Sequence, residues 1–95
     1  MELAQEKYIV KTDGIRGGKA HVTNTRITVS DIVAWHFRFG PSLEEIAVKY
    51  NLSFAALYAA LSYYFDNKTD IDRELDMARA EYDTIRQTAP SRLKF

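Results

Sequence analysis

SLEEIAVKYNLSFAALYAAL, from Ser42 to Leu61, holds two helix starts, one helix end and a turn in a single short stretch. Ser42 followed three residues later by Glu45 is a capping box, in which each side chain bonds the other residue's backbone N–H. Behind it Leu43, Ile46, Ala47 and Tyr50 recur at helical spacing and share a face. Asn51 ends that helix, because asparagine tolerates a left-handed backbone. Ser53 caps the next helix, expected from Phe54 to about Phe65. Small Ala47 allows a close crossing, which Ile46, Tyr50, Leu52, Leu57 and Ala60 would fix as a helix-turn-helix. An ordinary helical hairpin has the same packing needs.

Working outward, Ile32, Val33, Trp35, His36 and Phe39 place an apolar stripe on a helix starting near Val29, which Gly40-Pro41 stops. Further upstream, Lys7–Lys11, Ala20–Val22 and Thr25–Thr28 read as three short extended pieces, separated by turns at Thr12-Asp13-Gly14 and Gly17-Gly18. Downstream, Asp66-Asn67-Lys68 breaks the chain and Thr69 is the expected cap of a fourth helix. Its apolar positions Ile71, Leu75, Ala78, Tyr82 and Ile85 alternate in steps of four and three, a two-heptad seam. Ala89-Pro90 stops it, and Ser91 to Phe95 reads as a loose tail. The fold class is mainly α: a short N-terminal β-ribbon, a helix-turn-helix three-helix core and a C-terminal helix. Residues 1–68 carry ribbon and core. Residues 69–95 are helix and tail of the same domain, available as a dimer or partner-binding arm.

Several function classes drop out. The absence of cysteine removes disulfides and thiolate metal sites. The opening MELAQEKYIVKTDG lacks the charged-then-apolar order of a secretory signal, and no apolar run nears the ~20 residues that span a bilayer. A cytoplasmic protein that does not enter membranes is expected. Gly17-Gly18-Lys19 resembles a phosphate cradle, but the upstream glycine is missing and Ala20 stands where Ser or Thr is required. His21 and His36 have no acid at ligand spacing, and Asp66, Asp70, Asp72 and Asp76 are what a solvated helix start carries. No base is placed to activate a serine or threonine. Neither an enzyme nor a cofactor or metal site is expected.

Binding remains. Net charge is zero yet uneven. Lys7, Lys11, Arg16, Lys19, Arg26 and Arg38 face only Asp13 and Asp31 in the first part of the chain. Asp66, Asp70, Asp72, Glu74, Asp76, Glu81 and Asp83 outnumber Lys68, Arg73 and Arg79 later. One end would suit an anion and the other a basic surface, unless folding mixes the two. If double-stranded DNA is bound, Lys11, Arg16, Lys19 and Arg26 are the candidate phosphate contacts, with Ser53 and Tyr58 on the reading helix. That helix has no Arg, Lys or amide before Asn67 to reach base edges. It is apolar nearly all round, so part of its surface asks for a second molecule. Phe54, Tyr58, Tyr63 and Tyr64, with Ile71, Leu75, Tyr82 and Ile85 of the seam, are the candidate partner or dimer contacts. A homodimer is expected, with the acidic fourth helix left to occupy a basic partner.

Gly14-Ile15, Gly17-Gly18-Lys19, Thr25-Arg26-Ile27-Thr28-Val29-Ser30-Asp31-Ile32, Ser42-Leu43-Glu44-Glu45-Ile46-Ala47 and Ala59-Ala60-Leu61-Ser62-Tyr63-Tyr64 with the later Ile71-Asp72 together resemble the bacterial domain-of-unknown-function family 433. The similarity runs from about Tyr8 to Asp72. It implies a helix-turn-helix protein, often dimeric, acting as a DNA-binding regulator or as an antitoxin-like partner of a PIN-domain ribonuclease toxin. It brings no catalytic residues. A protein-interaction module on the same scaffold, without DNA, is the alternative. One departure stands out: the family's Lys-Pro-x-Ile-x-Gly-Thr-Arg is here Lys19-Ala20-His21-Val22-Thr23-Asn24-Thr25-Arg26. Asn24 replaces the glycine and can hold the same positive φ.

Overall fold

A computed structural model describes residues 7–88. The helix stop at Ala89-Pro90 and the tail Ser91–Phe95 lie outside those residues. Among the described residues are two short strands, β1 (Ile9–Val10) and β2 (His21–Val22), and four helices: α1 (Val29–Val33), α2 (Leu43–Tyr50), α3 (Phe54–Asp66) and α4 (Lys68–Thr88). Ala34–Arg38 prolongs α1 as a π-helical turn.

The ribbon is antiparallel, with Ile9 opposite Val22 and Val10 opposite His21. It is shorter than the sequence suggests. The third extended piece, Thr25–Thr28, contributes one bridge, His21 to Thr28, because Thr28 is already the N-cap of α1. Its hydroxyl accepts from the Asp31 N–H at 3.0 Å while the Asp31 carboxylate accepts from the Thr28 N–H at 3.1 Å. Asn24 sits at φ 64°, so the turn between β2 and α1 keeps its left-handed residue.

The helix-turn-helix forms as its caps dictate. Ser42 and Glu45 make the reciprocal capping box. Asn51 closes α2 at φ 54°, and the Ser53 hydroxyl accepts from the Ala56 N–H to open α3. Ile46, Leu52, Leu57 and Ala60 are buried at the crossing. Tyr50 is half-buried against the same core and stacks on Trp35, ring centroids 4.0 Å apart. The core joins Ile9, Val22, Val29, Ile32 and Val33 to the inner face of α3 and to Ile71.

Two local expectations need correction. Thr69 is not a cap. The Asn67 side chain donates to the Tyr63 carbonyl at 3.0 Å and the Asn67 carbonyl accepts from the Ile71 N–H, so Asn67 alone separates the end of α3 from the start of α4. Phe39 is not part of an inward stripe: the π turn inserts a residue, rotates the chain beyond it and leaves Phe39 75% exposed.

Candidate interaction surface

The ribbon bases divide into one that is engaged and three that are not buried. Arg16 has a left-handed backbone (φ 50°), which aims its guanidinium across the turn. It donates to the Asp31 carboxylate at 2.8 Å and to the Arg26 carbonyl at 2.9 Å. Asp31 is therefore both the α1 capping acid and the anchor of the ribbon. Arg16 thus ties the ribbon to the start of α1, with its side chain still 37% exposed. Lys11, Lys19 and Arg26 are exposed. Lys19 and Lys11 lie near enough to Glu74 of α4 for their charge to act on its carboxyl. Burial raises the Glu74 pKa and these lysines oppose the rise.

The outer face of α3 is aromatic. Phe54, Tyr58 and Phe65 stand exposed one above another, and Phe37 of the π turn joins them edge to face with Phe65, ring centroids 6.5 Å apart. Ser53 is exposed, but its hydroxyl oxygen is engaged in the cap. Tyr63 is half-buried against the core. Tyr64 and Ile71, candidates for contact with a second molecule, are instead buried within the chain. Their faces of α3 and α4 close on each other. The Tyr64 hydroxyl donates to Asp72 Oδ1 at 2.9 Å and Lys68 Nζ donates to Oδ2 at 2.8 Å. The Lys68 bond, then the Tyr64 bond, hold the Asp72 carboxyl below its usual value; the same Asp72 bond raises the Lys68 ammonium.

A second apolar surface has almost no trace in the sequence. Trp35, Phe39, Pro41, Val48 and Tyr50 line a groove of about 820 Å³ between the π turn and α2, rimmed by Glu44, Glu45 and Lys49. Val48, 84% exposed on the otherwise polar side of α2, is the one available signal. The third surface is the outer part of α4. Leu75 still packs on the core, but Met77, Tyr82 and Ile85 are exposed.

Both histidines have backbone partners: His21 is buried between the Val22 carbonyl and Thr12 Oγ1, and His36 Nδ1 lies 3.0 Å from the Pro41 carbonyl. Among the described residues, no three acids or histidines converge as metal ligands would, and no helix is long and apolar enough to cross a membrane.

The family model described as "Protein of unknown function (DUF433)" matches residues 9–64, more than half of the chain. No curated protein matches. Among solved structures, the chain is similar to a DUF433 member protein from Anabaena variabilis ATCC 29413. The two are 38% identical with a TM-score of 0.70, over 75% of this chain and 70% of that one.

Proposed function

We propose, from the premise that this chain belongs to the DUF433 family, that it is a non-catalytic, antitoxin-like binding module whose helix-turn-helix is turned toward a protein partner. The observation that carries this reading is the outer face of α3. Where a DNA-reading helix needs Arg, Lys, Asn or Gln, α3 offers Phe54, Tyr58 and Phe65, backed by Phe37. A contiguous exposed aromatic face with few charges is the composition of a protein interface centre. The partner in view is the PIN-domain ribonuclease toxin that the family resemblance implies.

The test is co-purification with, and titration against, a PIN-domain nuclease encoded beside this chain. Tyr58→Asp with Phe65→Asp should weaken binding at least about tenfold, on the order of 1.4 kcal/mol. Undiminished binding, or none by the unaltered chain, would overturn the reading.

Double-stranded DNA is the second reading, favoured by exposed Lys11, Lys19 and Arg26 of the N-terminal segment. A gel-shift series on the chain's own upstream DNA decides it. Phosphate-borne binding must fall steeply as salt rises, so absent or salt-insensitive shifts would remove DNA from the account.

A further inference from the structure

The outer side of α2 is a ridge with a groove beside it. Val48 stands exposed on the ridge, and Trp35, Phe39 and Pro41 form the far wall of the groove. The lining takes in α2 residues from Glu44 to Tyr50, so the groove runs the length of the helix. Trp35 lies flat on Tyr50, their rings 4° from parallel, which joins the far wall to α2 through a pair of aromatic faces. A ridge that runs beside a groove is self-complementary: turned about a two-fold axis, each ridge enters the other copy's groove.

The second observation is charge. Glu44 and Glu45 lie in the first turn of α2 and Lys49 in its last, all three on the groove. Glu45 is committed to the cap, where its carboxylate accepts from the Ser42 N–H at 3.2 Å. Among the described residues, Glu44 and Lys49 belong to no ion pair; the Lys49 ammonium sits 5.4 Å over the Tyr50 ring. The two are about 7.5 Å apart along the axis at ~1.5 Å per residue. When two copies of α2 lie antiparallel about an axis midway between these positions, Glu44 of each comes opposite Lys49 of the other. The same order sets each helix's positive N-terminal end beside a negative C-terminal end. The aromatic face of α3 offers no such match, since Phe54–Asp66 contains no Lys or Arg and its single charge is Asp66.

We infer that the groove between the π turn and α2 is filled by α2 of a second copy of this chain, reciprocally and antiparallel. Val48 of each copy enters the aromatic groove of the other, and two Glu44–Lys49 pairs close the ends. The acid and the base that one copy leaves unpaired are the partners the other copy requires, which is what an isologous contact demands. The dimer then leaves the aromatic face of α3 on both copies free for a different molecule.

The experiment is light scattering coupled to size exclusion over a concentration series, with circular dichroism as the control for folding. The unaltered chain is expected to dimerise. Val48→Glu, at an exposed position, should raise the dimer dissociation constant at least about tenfold with unchanged helicity, the scale of losing a central interface side chain. Glu44→Lys and Lys49→Glu should each weaken the dimer, because either one sets like charges opposite each other at both ends. An equimolar mixture of those two variants should dimerise again, since every facing pair is then of opposite sign. A monomer at every concentration, a Val48→Glu chain that dimerises as well as the original, or a mixture no better than its components would overturn the arrangement. Failure here is distinct from failure of the partner-binding reading. Phe65→Asp should leave the dimer intact, and Val48→Glu should leave capture of the nuclease intact.

Discussion

The two halves of α4 carry the same pattern and meet opposite fates. Ile71 and Leu75 follow the four-and-three spacing onto the core; Ala78, Tyr82 and Ile85 continue it at exposed positions. Periodicity specifies which face of a helix is apolar and is silent on what covers it. Cover is decided by how far the rest of the chain extends alongside, and here the core ends near Leu75. Over the core the seam is a statement about stability; beyond Leu75 the same spacing carries no such weight.

The sharpest way to break that contrast is to shorten one side chain in each half. Ile71→Ala leaves a cavity where α4 meets α1 and α3, and should cost about 2–4 kcal/mol by denaturant unfolding. Ile85→Ala, measured in monomer at low concentration, should stay within about 0.5 kcal/mol. Equal losses at the two positions would mean that the outer half is already packed within one chain.

How far such features are legible in the sequence varies with the range of the force involved. The caps at Ser42, Asn51 and Ser53 are readable because each is complete within four residues of its own backbone. So is the left-handed Asn24. Inner α3 is readable in outline, though its uniform run of Phe, Tyr, Leu and Ala gives no hint that Tyr64 turns inward while Tyr58 turns out. The groove is not readable: it depends on the π turn over Ala34–Arg38, one extra residue that swings Trp35 toward Tyr50 and Phe39 into solvent. The pairing of Arg16 is hidden for a related reason. Its partner Asp31 is 15 residues away, and only folding reveals that the pair meets.

Capping gives a smaller test of the same division between local and long-range signals. Asp31→Ala removes both the α1 capping acid and the Arg16 anchor, so it should cost about 1–2 kcal/mol. Ser42→Ala, which loses only a local cap, should cost about 1 kcal/mol. Thr69→Ala should change thermal stability hardly at all, because α4 already begins at Lys68 and Thr69 lies inside its first turn. A loss at Thr69 matching that at Ser42 would restore the capping role that the sequence suggests.

The smallest effect is set by pH, and here the two carboxyls of inner α4 pull in opposite directions. Asp72 is held below its usual 3.8 by Lys68 and Tyr64. Its contribution is present above that value and is lost as pH falls through the depressed one. Glu74 is raised above its usual 4.5 by burial, with one carboxylate oxygen enclosed and without a hydrogen-bond partner. The folded state then holds the Glu74 proton more tightly than the unfolded chain does. Its stabilisation is full below 4.5 and fades as pH rises through the higher folded value. Glu74→Gln should therefore flatten the decline in stability on the neutral side of 4.5 and raise stability at pH 7. The gain should stay under about 1 kcal/mol, because water and nearby Lys19 and Lys11 screen a half-buried charge. Denaturant midpoints of both proteins across that pH range measure the difference. A Gln variant less stable than the original at pH 7 would mean that the lysines outweigh burial, making Glu74 the point where the basic ribbon is tied to α4.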